Sequence, residues 1–175
     1  MQLDTYARSV RDWRDLAKVN YVAASALFAS GNPFLVFPAA TLGHHALEMY
    51  LKAALIREGM TAFDPNKLSR LDPSVGLRRE DCAWGHNLVR LAEELSRRRP
   101  EFDLSAEINC PRIAIEEMPM KVLAGFRLFD PFFSELRYPQ ELKDLKDVGE
   151  DDRFVLDELV KRLVPFSLPV TGEPK

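Results

Sequence analysis

The sequence predicts an all-α fold, a bundle of four to six helices, on three observations. The 8 glycines and 12 prolines among 175 residues are unevenly placed, so long stretches contain neither. Within those stretches apolar or small residues recur at spacings of three and four, the period of one helix face. At 46% hydrophobic and 29% charged, the chain is long and apolar enough to bury a core as one domain. That domain is expected over residues 1–164, with 165–175 a flexible tail because Pro165, Pro169, Gly172 and Pro174 crowd it.

The first helix is expected from Asp4 to Ser30. Tyr6, Val10, Trp13, Ala17, Asn20, Ala24 and Leu27 form its stripe, while Arg8, Arg11, Arg14 and Lys18 mix with Asp12 and Asp15 elsewhere. Gly31-Asn32-Pro33 supplies the stop. The second helix should run from Leu35 or Pro38 to Glu58, with Pro38 tolerated in the first turn and Gly59 closing it. Two adjacent seams of it are apolar or small: Ala39, Leu42, Ala46, Met49, Ala53 and Ile56, and beside them Ala40, Gly43, Leu47, Tyr50 and Ala54. Such a helix is central to a bundle and touches more than one neighbour. Its small residues would also permit the close approach of a second copy in a two-fold homodimer. One narrow polar seam survives, Thr41, His45, Glu48 and Lys52, with His44 alongside.

From Met60 to Cys82 no period is sustained, and Pro65, Asp72-Pro73 and Gly76 indicate a connecting loop. A third helix follows from Gly85-His86 to Arg99, with Leu88, Leu91, Ala92 and Leu95 on one face and Pro100 as terminator. The stretch from Phe102 to Pro119 reads as loop or a single helical turn. Met120 to Arg137 is helical in pattern, but Pro131 should kink or split it, and Pro139 ends it. A last helix runs from Asp151 or Asp152 to Leu163, its aspartates at the positive end of the dipole and Lys161-Arg162 near its close.

Charge and composition narrow the function. With 24 basic against 27 acidic residues the net charge is -3, so no global positive field recruits nucleic acid or an anionic membrane, and any phosphate contact must be local. Cys82 and Cys110 are too few for a disulfide scaffold and fit a reducing compartment. The opening Met1-Gln2-Leu3-Asp4 lacks the pattern of a secretory signal. The longest apolar run, Phe34 to Leu42, falls well short of the roughly 20 residues a spanning helix needs. A cytoplasmic, membrane-free chain is the expectation. Glycine-rich phosphate loops, paired-cysteine zinc sets and serine elbows are absent from the sequence.

Several local arrangements remain. His45, Glu48 and Lys52 share a helix face, so a carboxylate between an imidazole and an ammonium could hold a site or simply form a solvated or partly buried seam. Cys82, His86 and the His44-His45 pair could in principle surround zinc, but no paired spacing supports it, and no metal or other cofactor is expected. His86 more naturally caps the third helix or packs at its start. The basic face of the first helix and Arg97-Arg98-Arg99 could touch phosphates, or be ordinary solvated surface. The stretch Glu141 to Glu158, eight acidic residues against Lys143, Lys146 and Arg153, would repel nucleic acid nearby.

Three motifs in order carry a family resemblance: His45-Ala46-Leu47-Glu48-Met49-Tyr50-Leu51-Lys52-Ala53-Ala54-Leu55 followed by Gly59, then Gly85-His86-Asn87-Leu88 with Leu91, then Leu136-Arg137-Tyr138-Pro139. Spread over roughly Trp13 to Pro139, this succession resembles the HEPN domain family. The resemblance implies an up-and-down helical bundle of a kind found in bacterial toxin pairs with nucleotidyltransferases and in stand-alone proteins. In members that cut RNA, an arginine ending the last core helix is followed a few residues later by a histidine, and two such sets meet across a homodimer. No metal is needed there: the RNA 2′-hydroxyl attacks the adjacent phosphate, the histidine moves protons and the arginine offsets charge.

Arg137 matches that arginine. The histidine is missing, because Tyr138-Pro139-Gln140-Glu141-Leu142-Lys143 follows and no histidine lies beyond His86. Losing a general base costs about two to four orders of magnitude. The resemblance therefore implies a non-catalytic module binding a nucleotide, RNA or a protein partner such as a nucleotidyltransferase, in a toxin–antitoxin, stress or defence system. Arg137, Tyr138, His45, Glu48, Lys52 and His86 are its candidate ligand-binding residues, with Arg137 as a phosphate fork or, alternatively, a cap on helix carbonyls. The alternative function is a divergent metal-independent ribonuclease in which His45 or His86 replaces the absent histidine in space.

Overall fold

Among the described residues, six helices form in stretches that the apolar periodicity marks: α1 (Val10–Phe28), α2 (Val36–Arg57), α3 (Leu88–Arg98), α4 (Val122–Phe129), α5 (Pro131–Ser134) and α6 (Asp152–Leu163). Two 3-10 turns, Pro33–Leu35 and Val164–Ser167, adjoin α2 and α6. The structure, a computed structural model, describes residues 10–61, 83, 85–109, 119–134, 149 and 151–168. Among these an isolated bridge joins Glu107 to Lys121 and no strand forms, so the protein is an all-α bundle. Most of the connection over 60–82, and residues 110–118 and 135–148, lie outside the described residues.

The helix ends follow from local chemistry. After α1 the chain turns at Gly31, whose φ of 65° lies where a side chain would strain the backbone. Asn32 then accepts from the Phe34 amide and caps the 3-10 turn that leads into α2. At the far end of α2, Gly59 has φ 83°, its amide bonds Ile56 and the Met60 amide bonds Leu55, the paired closure of a Schellman motif with Met60 buried behind it. The expected third helix begins later than Gly85-His86: Asn87 is the cap, its side chain accepting from the Arg90 amide at 2.7 Å, and α3 starts at Leu88. Pro131 splits the fourth segment at Asp130 into α4 and α5.

Contacts fix the directions of the helices. Trp13 meets Lys52, and Asn20 meets Met49, so α1 and α2 are antiparallel. His86 meets Glu48, and Arg99 meets Glu58, so α3 runs parallel to α2. Leu88 bonds Asp130 while Phe102 packs on Phe126, which sets α4 antiparallel to α3. Tyr21 donates to Asp157 at 2.9 Å and Leu156 lies beside Gly43, so α6 lies against both α1 and α2.

As its all-round apolarity predicts, α2 is the central helix, packing on α1, α3, α4, α5, α6 and the Val164–Ser167 turn. The small residues of α2 serve these internal contacts: Ala39, Ala40, Ala46, Ala53 and Ala54 are fully buried within one chain. A Cβ on Gly43 would stand 3.0 Å from the Phe129 ring and 3.3 Å from Leu156. The expectation that these residues face a second copy is thereby corrected; they are covered already. The expected tail is corrected at its start too. Residues 164–167 form a turn, Phe166 stacks edge-on to Phe102 at 5.3 Å, and the Arg57 guanidinium donates to the Pro165 carbonyl at 3.0 Å. Residues 169–175 lie outside the described residues. No helix described is long and apolar enough to cross a membrane.

Candidate functional site

His44, Glu48 and Lys52 stand on successive turns of α2 at i, i+4 and i+8, so their side chains share one face. That face is covered, and the three are 0%, 5% and 3% exposed. Buried charge is tolerated only when paired and hydrogen-bonded, and here it is. Lys52 Nζ donates to Glu48 Oε1 at 2.6 Å, and the ammonium also lies 5.4 Å from the centroid of the Trp13 ring on α1. His86 Nδ1, just before α3, stands 3.1 Å from Glu48 Oε1 and 3.0 Å from Oε2. His44 Nε2 lies 3.5 Å from Oε2, while its Nδ1 is 2.9 Å from the Phe129 carbonyl. Since a carbonyl only accepts, His44 Nδ1 carries a proton.

Burial alone would push the Glu48 pKa up. The hydrogen bond from His44, the charge and hydrogen bond of Lys52 and the hydrogen bond from His86 outweigh it, and the pKa is lowered to about 2. The carboxylate is thus an anion with both oxygens engaged, by side chains of α2 itself and by His86 just before α3. Gly85, at φ 106°, provides the backbone turn immediately before His86.

The expected polar seam is redrawn by this geometry. Glu48 and Lys52 pair as the spacing implies, and of the solvated and partly buried alternatives the structure goes past the second, with both side chains inside the protein. The imidazole on the Glu48 face of α2 is that of His44, not His45. His45 lies beside the cluster, half-buried, its ring edge-on to His44 at 5.7 Å, and its pKa is lowered by burial and then by the neighbouring His44. Thr41 turns back to bond the Phe37 carbonyl of its own helix at 3.1 Å. His86 does not cap α3; Asn87 does, and the His86 side chain, 42% exposed, packs on Glu48. Arg137, Tyr138 and Cys82 lie outside the described residues.

Two contributors had weak or no sequence signal. Trp13 was visible only as a stripe residue. Asp130 is 42 residues from its partner, the Leu88 amide, which it accepts at 2.5 Å, with Asn87 Nδ2 at 3.2 Å from its other oxygen. The amino-terminal end of α3 is therefore already occupied by the chain's own carboxylate.

Members of both basic runs meet acidic neighbours. Arg97 and Arg98 bind Glu94, and Arg99 binds Glu58 and Glu101. On α1, Arg11 lies 3.9 Å from Asp15 at the surface. Among the described residues no three His, Cys, Asp or Glu side chains gather as a metal site.

The cluster can perform one kind of chemistry. A buried carboxylate that accepts the Nδ1 proton of an imidazole fixes ring and tautomer, leaving the other ring nitrogen basic. Lys52 balances the carboxylate charge and is withdrawn from any ligand. His86 is the member of the cluster most exposed to solvent. Comparison with known protein families, characterised proteins and solved structures finds no match for this chain.

Proposed function

We propose that this chain is a HEPN-like helical module that binds a nucleotide or RNA without cutting it. The observation that supports the reading is the His86 imidazole, held at the surface by a buried, permanently charged Glu48. Packing alone does not require a half-exposed ring to be fixed by a buried ion. Arg137, matching the family's arginine, supplies the bidentate phosphate contact, and Tyr138 stands next to it in sequence. The missing histidine after Arg137 argues for binding over cleavage. In this reading the module acts in the cytoplasm as a homodimer beside a nucleotidyltransferase partner of a toxin–antitoxin, stress or defence system.

A second reading, a divergent metal-independent ribonuclease, is favoured by the same dyad, because a carboxylate-oriented imidazole is also the geometry of a general base. In that case His86, not His45, replaces the missing histidine. Incubating purified protein with labelled tRNA and mRNA separates the two. Binding without Arg137-dependent cleavage is expected, and Arg137→Ala should weaken binding about tenfold or more, the value of a charge-assisted contact. Cleavage that disappears in both Arg137→Ala and His86→Ala would establish the nuclease instead.

A further inference from the structure

We infer that the outer face of α1 from Val19 onward pairs with the same face of a second copy, and that this pairing keeps the two Glu48–His86 clusters apart. The inference goes beyond the ligand reading above and does not depend on it.

Ala17, Ala24 and Phe28 turn the inner face of α1 into the core. On the opposite face Val19 is 67% and Val22 56% exposed, and Ala26 and Ala29 continue the exposed row at helical spacing. Phe34, just past the turn, is 86% exposed. The outer face of a helix ordinarily carries charge, and the first half of α1 does, with Arg11, Asp12, Asp15 and Lys18. The second half does not: no Asp, Glu, Lys or Arg occurs between Lys18 and Glu48. Covering this strip removes apolar surface from water without desolvating a charge.

The occupant follows from what the strip lacks. A nucleic acid, an anionic membrane or a charged peptide finds no counter-charge on it. Val10 and Ser167, where residues 1–9 and 169–175 attach, lie at the opposite end of the bundle, and so do the Thr61–Ala83 and Ile108–Met120 pairings that bound 62–82 and 110–118. Residues 135–148, between α5 and α6, attach nearer the strip, but half of them are charged. A second copy of the strip is itself apolar and uncharged. Ala26 stands seven residues after Val19 and eight before Phe34. With a two-fold axis at Ala26, whose small side chain lets backbones approach, antiparallel pairing sets Phe34 of each copy over Val19 of the other. Both charged halves then extend past the contact into water. Trp13, which meets Lys52, lies about 20 Å along α1 from Ala26, so the two clusters fall on opposite sides of the axis instead of meeting across it. The strip spans about 15 Å of α1. With Phe34 added it falls short of the ~800 Å² per partner of a standard interface, so the pairing is reversible and micromolar.

Sedimentation velocity of the full chain should show a monomer–dimer equilibrium over the micromolar range. Val22→Asp and Phe34→Ser should each weaken association about tenfold or more. Helicity and thermal midpoint should stay as they are, because neither side chain is buried in the single chain. Arg11→Glu, outside the strip, should leave association unchanged. Under mild oxidation Ala26→Cys should give a disulfide-linked dimer. Arg90→Cys, exposed on the first turn of α3 beside His86, should not exceed the background that Cys82 and Cys110 give in the unmodified protein. A monomer at every concentration overturns the inference, whether residues 135–148 or another protein then cover the strip. A dimer insensitive to Val22→Asp and Phe34→Ser overturns it too, as does one linked through Arg90→Cys and not through Ala26→Cys, which would bring the two clusters together.

Discussion

At the residue scale, Glu48 sets the terms. Its pKa is lowered from the ordinary 4.5 to about 2, so the folded state holds the anion more tightly than the unfolded chain does. The stabilisation is present above about pH 4.5 and is lost as pH falls towards 2, an amount on the order of 3 kcal/mol. Denaturant titrations at stepped pH should show this slope, and Glu48→Gln should flatten it. Lys52→Met alone leaves an uncompensated buried carboxylate and should cost about 3–5 kcal/mol; adding Glu48→Leu should recover much of that. The Glu48–Lys52 pair was legible in the sequence because i, i+4 spacing is a local fact. His86 as its third partner was not, since 38 residues separate them and the intervening chain has no periodicity. The choice between His44 and His45 depends on the Phe129 carbonyl, which binds one of them from another helix.

At the element scale, α3 depends on two acceptors at its first turn. Asn87→Ala removes the cap and should cost about 1 kcal/mol. Asp130→Ala strips the Leu88 amide of its carboxylate partner and should cost about 1.5–3 kcal/mol. In both variants amide exchange should rise first in α3, ahead of α2. The two differ in origin: the cap residue sits where a sequence reading could have placed it, whereas Asp130 reaches α3 from the α4–α5 junction. Gly43 makes the complementary point about α2. The helix alone would favour alanine there by about 1 kcal/mol, yet the Phe129 ring at 3.0 Å leaves no room. Gly43→Val should destabilise by about 2 kcal/mol, measurable as a shifted denaturation midpoint. The end of α1 and both ends of α2 and α6 followed from glycine, proline, aspartate and apolar period, because those signals act within a few residues.

At the scale of the whole molecule, the class of the fold and the centrality of α2 were legible, because a helix apolar on most of its girth has to be surrounded. The parallel course of α2 and α3 was not, since period alone carries no direction. Nor was the docking of residues 164–167, where prolines suggested a tail but Phe166 finds Phe102 and Arg99. Ending the chain after Leu163 uncovers Phe102 and should cost roughly 2 kcal/mol, or about 6 °C in Tm by calorimetry. The antiparallel contact of α1 with α6 through Tyr21 and Asp157, together with Arg57 reaching Pro165, brings Val10 and Ser167 to the same end of the bundle. The α1–α2 turn, with open space around Gly31, lies at the opposite end. A circularly permuted chain, with Val10 and Ser167 joined through a short linker and new ends cut at 31–32, should therefore retain the same packing.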